Sequence, residues 1–208
     1  MNALRLGILG GSFDPIHYGH LAIAEEARVA LGLDRVLLVP AARQPLKGGR
    51  HAAAPEHRLA MARLACSFND AFEVSTIELD RPGPSYTVTT LEALRAAFDG
   101  QMFFILGADA LADLPRWHAA ARIVELARIV AVARPAVTLD LAALARAIPR
   151  IGERLTLLDG PRLDISSNDL RRRVAAGRPI RYQTPDPVVD YIARHGLYQP
   201  ALDAGDRR

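Results

Sequence analysis

Cysteine is nearly absent from the 208-residue sequence, which contains only Cys66. A single thiol excludes an internal disulfide and a Cys-x-x-Cys zinc site, and its alanine-rich surroundings predict a small buried side chain. Long hydrophobic runs are also missing, because no apolar stretch approaches the roughly 18 residues of a membrane helix. The first residues lack the pattern of a signal peptide. We therefore expect a cytoplasmic protein that has no membrane partner.

Positive and negative charges nearly balance. The chain contains 26 Lys and Arg and 23 Asp and Glu, which gives a net charge of +3. Aromatic residues make up only 6% of the chain, and no polybasic segment is present. A nucleic-acid interface would need a broad basic face with exposed aromatic side chains. The composition therefore favours an anionic small molecule over a nucleic-acid partner.

Short apolar runs alternate with helical patterns along the first 160 residues. The alternation predicts an α/β fold with a Rossmann-like, doubly wound, mostly parallel sheet and a small helical C-terminal segment. We expect one domain over 1–208, with a core at 1–160, a helical part at 161–198 and a frayed tail at 199–208. The predicted strands are 4–9, 35–40, 72–79, 102–106, 128–133 and 155–158, and predicted helices include one that stops at Gly32, 56–66, 87–98 and 139–148.

The segment GGSFDPIHYGH, residues 10–20, directly follows the first predicted strand. In an open α/β sheet, ligands bind beyond the carboxyl ends of the strands, where the strand order reverses. Two glycines before a helix N-terminus suit a phosphate, and His17 and His20 lie three residues apart on one helix face. A metal pair or an incidental helix start is a less favoured interpretation, because no third ligand sits at a recognisable spacing.

Two other segments also offer side chains that could bind a nucleotide, but ordinary structural roles explain these residues as well. The helix start ISSNDLRRR offers Ser166, Ser167 and Arg171 to a phosphate, although an ordinary capped helix explains these residues as well when they are taken alone. The segment LGADALADLPRWH places Gly107 and Asp109 at the end of the fourth strand. Asp109 can accept ribose hydroxyls, and Trp117 is either a stacking platform or a core residue.

A fourth candidate site lies in RPGPSYTV, residues 81–88. We expect Ser85, Tyr86 and Thr87 to start a helix and to offer free N–H groups to a small anion such as a carboxylate. A plain capped helix with a packed Tyr86 ring is an equally good interpretation of these residues alone.

Taken together, these segments resemble the nucleotidyltransferase superfamily with the (H/T)xGH signature and, within it, the bacterial nicotinate-nucleotide adenylyltransferases. HxGH alone would indicate only the superfamily, whereas the SYT and GAD…LPRWH segments favour the pyridine-nucleotide branch. The resemblance covers nearly the whole chain in order: GGSFDPIHYGHL, QPLKGG, EHRLAM, RPGPSYTVTTL, GADALADLPRWH, ISSNDLRRR and IRYQTPDPVVDYIARHGLY.

This resemblance implies transfer of AMP from ATP to nicotinate mononucleotide, which gives nicotinate adenine dinucleotide and pyrophosphate without a covalent enzyme intermediate. It also implies a Mg²⁺ cofactor held mainly by ATP phosphates and water, with no protein metal ligand. The implied catalytic residues are His17, His20, Ser167 and Arg171; the implied ATP contacts are Gly10, Gly11, Ser12, Phe13, Gly107, Asp109 and Ser166; and the implied acceptor contacts are Lys47, Ser85, Tyr86, Thr87, Trp117 and His118.

The chain departs from the family pattern at two places. In ISSNDLR, Asn168 and Leu170 replace the usual Thr and Ile, and in QPLK a histidine of the usual PPHK is missing while Lys47 keeps the charge. The alternatives are adenylyl transfer to phosphopantetheine, a non-catalytic nucleotide-binding regulator and an RNA-binding module. An aminoacyl-tRNA synthetase is disfavoured because no KMSKS-like loop is present.

Overall fold

The computed structural model describes residues 3–45, 51–133, 139–161 and 163–200. Across these ranges, six strands form one parallel sheet in the order β3-β2-β1-β4-β5-β6. The strands are β1 (Arg5–Gly11), β2 (Arg35–Pro40), β3 (Phe72–Val74), β4 (Gln101–Gly107), β5 (Arg128–Val132) and β6 (Leu155–Leu158). The order reverses between the neighbouring strands β1 and β4, as in a doubly wound sheet, so the predicted fold class is confirmed.

Helices cover both faces of the sheet. They are α1 (Tyr18–Leu31), α2 (Pro55–Cys66), α3 (Thr87–Ala97), α4 (Ala108–Asp113), α5 (Ala120–Leu126), α6 (Leu141–Ala147), α7 (Ile151–Arg154), α8 (Ser167–Ala175) and α9 (Asp186–Arg194), with a 3₁₀ turn at Leu114–Arg116. Among the residues that the structure describes, no helix is both long and apolar enough to cross a membrane.

Each face of the sheet packs its own apolar cluster. Leu9, Ile105 and Val130 belong to the cluster beneath α1 and α2, whereas Phe104 and Ile129 belong to the one beneath α3 and α5. Successive strand residues point to opposite faces, so both sets of positions must be apolar when both faces are covered. This explains the nearly continuous apolar runs of the central strands.

The predicted strand at 72–79 is wrong in its second half, because β3 ends at Val74. The backbone N–H of Ile77 donates to the Ser75 hydroxyl at 3.3 Å, and the Thr76 hydroxyl donates to the Asp80 carboxylate at 2.6 Å. The N–H of Asp80 also donates to the carbonyl of Thr76 at 2.9 Å. These local bonds turn the chain and compete with the extended ladder that the β-branched residues predict.

Candidate active site

Two neighbouring cavities lie at the carboxyl ends of β1 and β4, where the strand order reverses. The histidine cavity, of about 380 Å³, is lined by His17, His20 and Arg171. The tyrosine cavity, of about 300 Å³, is lined by Tyr86 and His118. Both cavities are lined by Gly10, Gly11, Gln44 and Trp117, so they share a wall.

Apart from Lys47, which lies outside the described residues, every predicted site residue lines one of these cavities. The histidine cavity also contains Ser12, Phe13, Gly107, Asp109, Ser166 and Ser167. The tyrosine cavity also contains Ser85 and Thr87. The structure therefore brings together segments that are up to about 160 residues apart in sequence.

The two motif histidines are stacked at the start of α1. Their ring centroids lie 3.7 Å apart with an interplanar angle of 30°, and the His17 backbone N–H donates to His20 Nδ1 at 3.3 Å. Because Nδ1 of His20 accepts this bond, the proton of the neutral ring is on Nε2. The Phe13 ring packs edge-on against His20, with centroids 5.1 Å apart. The His20 ring is therefore oriented from two sides.

Four side chains from distant elements hold the backbone of the loop that precedes His17. Each donates to a different carbonyl oxygen: Arg58 to Ser12 at 2.8 Å, Arg171 to Asp14 at 2.7 Å, Ser167 to Pro15 at 2.9 Å and Thr184 to Ile16 at 2.7 Å. A loop with several donors on its carbonyls has few alternative conformations, which favours a preorganised site.

Ser167 and Arg171 therefore make contacts within the protein that their predicted role does not include. The Ser167 hydroxyl and one Arg171 nitrogen are engaged by the loop, while the second Arg171 terminal nitrogen donates to Asn168 Oδ1 at 3.2 Å. A guanidinium carries five N–H donors, so Arg171 keeps capacity for an anion in the cavity.

Asp14 connects this loop to two further segments. Its carboxylate accepts bonds from the N–H groups of Ala52 and Ala53 at 2.7 and 3.2 Å, and from the Tyr198 hydroxyl at 2.7 Å. Burial, followed by the Asp14 charge, raises the pKa of Tyr198. Burial also lowers the pKa of the fully buried Arg58 guanidinium, and the Asp14 charge opposes that shift. Arg58, Thr184 and Tyr198 were not predicted as site residues, although all three lie in segments that carry the family resemblance.

The start of α3 forms one end of the tyrosine cavity. Ser85 N–H donates to the Arg43 carbonyl at 2.9 Å, and Tyr86 N–H donates to the Pro84 carbonyl at 3.1 Å. The expectation that these two N–H groups are free is therefore wrong, because the preceding loop closes on itself and on the loop after β2. Helix α3 begins at Thr87, so the first-turn N–H groups remain available from that residue onward.

Polar side chains complete the tyrosine cavity. The Tyr86 and His118 rings lie 4.6 Å apart at 41°. Glu78, which is buried, accepts a bond from the Thr90 hydroxyl at 2.7 Å, and Arg81 donates to the same hydroxyl at 3.2 Å. This chain fixes α3 relative to the turn before it.

Trp117 belongs to the wall that the two cavities share. Its ring contacts Phe104 edge-on, with centroids 6.0 Å apart, and it packs at the border of the core. Its indole Nε1 is buried and has no hydrogen-bond partner within the described part of the chain. Trp117 thus packs against the core and also lines both cavities, and its role as a stacking platform stays a prediction.

Several lining residues were not predicted, among them Gln44, His51 and Arg116. Gln44 Oε1 accepts a bond from the Ser12 hydroxyl at 2.7 Å, which connects the loop after β2 to the loop after β1. The position of Gln44 just beyond a strand next to β1 is a signal that could have identified it.

The side chains of the histidine cavity do not form a magnesium cage. Among its lining residues the carboxylates are Asp14 and Asp109, and both oxygens of Asp14 already accept protein hydrogen bonds. Mg²⁺ prefers oxygen ligands, whereas this cavity mainly offers imidazole and guanidinium groups. In the described ranges, no three His, Cys, Asp or Glu side chains are grouped so that they could hold a metal ion.

Comparison with known proteins agrees with this architecture. The cytidylyltransferase-like family model matches residues 8–173. A Roseiflexus sp. (strain RS-1) protein named "probable nicotinate-nucleotide adenylyltransferase" is 67% identical over 96% of this chain and 100% of its own length. A Herpetosiphon aurantiacus protein of the same name is 49% identical over 93% of this chain and 98% of its own.

A solved structure shares the fold at lower identity. Plasmodium falciparum nicotinic acid mononucleotide adenylyltransferase complexed with NaAD superimposes with a TM-score of 0.76 at 20% identity, over 94% of this chain and 97% of that one. The sequence relatives and the fold therefore agree over more than 90% of the chain, and the family model covers residues 8–173 of it. The chain belongs to the cytidylyltransferase-like family and, within it, to the nicotinate-nucleotide adenylyltransferases.

Proposed function

We propose that the protein transfers AMP from ATP to nicotinate mononucleotide, and that it releases nicotinate adenine dinucleotide and pyrophosphate. The observation that carries this proposal is the wall shared by the two cavities at Gly10, Gly11, Gln44 and Trp117. A reaction that joins two nucleotides through their phosphates needs two sites that meet where the phosphates react. The relatives named above support the identity of the two nucleotides.

The chemistry needs no protein nucleophile. A phosphate oxygen of nicotinate mononucleotide attacks the α-phosphorus of ATP, and the bond from that phosphorus to the α–β bridging oxygen breaks. The bridging oxygen keeps the electron pair and leaves with pyrophosphate. The enzyme positions the two phosphates and stabilises the charge that grows on them.

We assign the charge stabilisation to His17, His20 and Arg171. The Nε2–H of His20 can donate to a phosphate because its Nδ1 is occupied by the His17 backbone. The loop that presents both histidines is held by bonds to four carbonyls, so little reorganisation is needed as the charge develops. Ser166 and Ser167, at the start of α8, contribute to the pyrophosphate end of the cavity.

We assign acceptor recognition to the start of α3. A nicotinate carboxylate placed there would meet first-turn N–H groups from Thr87 onward and the positive end of the helix dipole, with His118 nearby. A neutral amide gains less from the same donors, because hydrogen bonds to a charged acceptor are stronger. Stacking of the pyridine ring on Trp117 would complete the subsite.

We propose that Mg²⁺ enters the site bound to ATP, as part of the substrate. Because the cavity residues do not form a metal cage, the ion would arrive on the ATP phosphates with water as its other ligands. It would neutralise phosphate charge, and no step is assigned to a protein-bound metal. We place the reaction in the cytoplasm, with small molecules as its partners.

The direct test measures pyrophosphate release from ATP and Mg²⁺ with nicotinate mononucleotide, nicotinamide mononucleotide or phosphopantetheine as acceptor. The expected result is turnover with the first and a much lower kcat/KM with the other two. Equal kcat/KM for the nicotinate and nicotinamide forms contradicts the acceptor assignment. His20→Ala should lower kcat by orders of magnitude, whereas the exposed His195→Ala should not.

A further inference from the structure

We propose that His51 is a third imidazole that binds the phosphates of ATP, at the end of the histidine cavity where pyrophosphate would leave. The inference rests on the proposed function for the identity of the nucleotide. His51 lies between the QPLKGG and EHRLAM segments and belongs to neither.

The first observation is the placement of His51. This half-buried residue lines the histidine cavity together with His17, His20, Ser167 and Arg171. The cavity thus contains three imidazoles and one guanidinium. Its two carboxylates are Asp14, whose oxygens are engaged by protein donors, and Asp109. Such a set suits a polyanion, because an imidazole next to phosphate can both donate a hydrogen bond and be drawn to its protonated form.

The second observation is the anchoring of the residues that follow His51. Ala52 N–H and Ala53 N–H donate to the two carboxylate oxygens of Asp14 at 2.7 and 3.2 Å. The Ala53 carbonyl accepts a bond from Arg58 Nε at 3.3 Å, and both Ala53 and Arg58 are buried. The backbone next to His51 is therefore fixed to the same loop that carries His17.

The third observation identifies the end of the cavity. The Asp14 carboxylate accepts a hydrogen bond from the Ala52 N–H, and the Asp14 backbone carbonyl accepts one from Arg171 at 2.7 Å. The Ser167 hydroxyl donates to the adjacent Pro15 carbonyl at 2.9 Å. These bonds bring Ser167, Arg171 and Ala52, the residue next to His51, to Asp14 and Pro15 of the loop. Gly107 and Asp109, at the end of β4 and the start of α4, line the part of the cavity where Asp109 could accept the ribose hydroxyls of ATP. The contact expected for His51 is accordingly with the β- and γ-phosphates.

The experiment compares His51→Ala, His51→Gln and the control His57→Ala. His57 is six residues away, and its Nδ1 lies 3.0 Å from the Tyr191 hydroxyl, where α2 meets α9. Dissociation constants are measured by titration calorimetry for ATP, AMP and inorganic tripolyphosphate, and KM is measured for nicotinate mononucleotide. AMP lacks the two phosphates that His51 would contact, so it separates a phosphate contact from a general change in the cavity.

His51→Ala should weaken binding of ATP and of tripolyphosphate about tenfold, the usual effect of losing one hydrogen bond to a charged group. AMP affinity and the KM of the acceptor should stay within about twofold, and His51→Gln, which keeps an N–H donor, should recover part of the loss. His57→Ala should bind ATP like the unchanged protein. These results together would support the assignment.

Two results overturn it. One is ATP binding by His51→Ala within twofold of the unchanged protein. The other is an equal loss of ATP and AMP affinity, which indicates a displaced loop. Because these titrations need no turnover, they are independent of the acceptor. If the unchanged protein forms no dinucleotide but His51→Ala still loses ATP and not AMP, the proposed function fails while the His51 contact stands.

Discussion

Gly19 lies against the imidazole ring of His17. A Cβ atom on Gly19 would come within 3.0 Å of both Cε1 and Nδ1 of that ring, and within 3.6 Å of the Ile165 carbonyl oxygen. His17 is 2% exposed, so its ring has little room to move away. The glycine of HYGH is therefore explained by the close packing of its own motif, without any contact to a ligand.

Gly19→Ala should lower kcat at least tenfold while the protein stays folded. The new methyl group displaces the His17 ring and, through the stacking, the His20 ring, whereas alanine in a helix is intrinsically favoured over glycine. Steady-state kinetics and thermal unfolding measure the two effects.

Gly152→Ala is the matched control, because Gly152 also lies in a helix and nothing is within 4 Å of its added Cβ. It should leave kcat unchanged and stabilise the protein by about 0.5–1 kcal/mol. Wild-type kcat in Gly19→Ala would contradict the packing explanation.

Thr184→Val should destabilise the loop that carries the histidines. Thr184 is fully buried, and its hydroxyl donates to the Ile16 carbonyl at 2.7 Å. Valine has nearly the same shape, so the change leaves a buried carbonyl without this donor at a cost of about 1–3 kcal/mol in the free energy of unfolding. Urea unfolding measures the loss.

The exposed Thr89→Val, in α3, provides the comparison and should change the free energy of unfolding by no more than about 0.5 kcal/mol. Because Ile16 directly precedes His17, kcat should also fall in Thr184→Val. Equal stability of the two variants would show that the Thr184 bond does not hold the loop.

The sequence predicts the sheet and the location of the two cavities well because both follow from local patterns. Apolar runs alternating with helices indicate a parallel sheet, and the rule on carboxyl ends then selects the loops after β1 and β4. The cavities contain these loops. The end of β3 was not predictable in this way, because the bonds of Ser75 and Thr76 with the next few residues outweigh their β-propensity.

The residues that support the loop were missed for a different physical reason. Arg58 and Thr184 have no local pattern that distinguishes them from ordinary helix and turn residues. Each donates to a carbonyl that is 46 or 168 residues away in sequence. Such partners are defined only by the folded backbone, so only a structure identifies them.

Trp117 should report both ligands separately by its fluorescence. It is the sole tryptophan of the chain, and it lines both cavities. Titration with ATP alone and with nicotinate mononucleotide alone should each change its emission, because each ligand alters the surroundings of the indole.

Trp117→Phe provides the control, since it keeps an aromatic ring but should remove the signal. Its KM should rise for nicotinate mononucleotide, whose ring would stack on the larger indole. A signal from only one of the two ligands would show that Trp117 does not belong to a wall shared by two occupied sites.

Alkaline pH should destabilise the protein partly through Cys66. Burial raises the pKa of this thiol from 9.0 to about 12, so the folded state keeps its proton where the unfolded state has lost it. Since the folded state then binds more protons, the free energy of unfolding falls as pH rises from about 9 towards 12, by at most about 1.4 kcal/mol per pH unit. Urea unfolding at a series of pH values measures the slope.

Cys66→Ala should flatten this slope above pH 9, whereas the exposed neighbour variant Ser67→Ala should leave it unchanged. The raised pKa of Tyr198 acts in the same direction above its ordinary value of 10.0, so Tyr198→Phe should flatten the remaining slope at higher pH. The two effects should add, because neither group contributes to the pKa shift of the other. Parallel pH curves for Cys66→Ala and the unchanged protein would show that the buried thiol does not contribute.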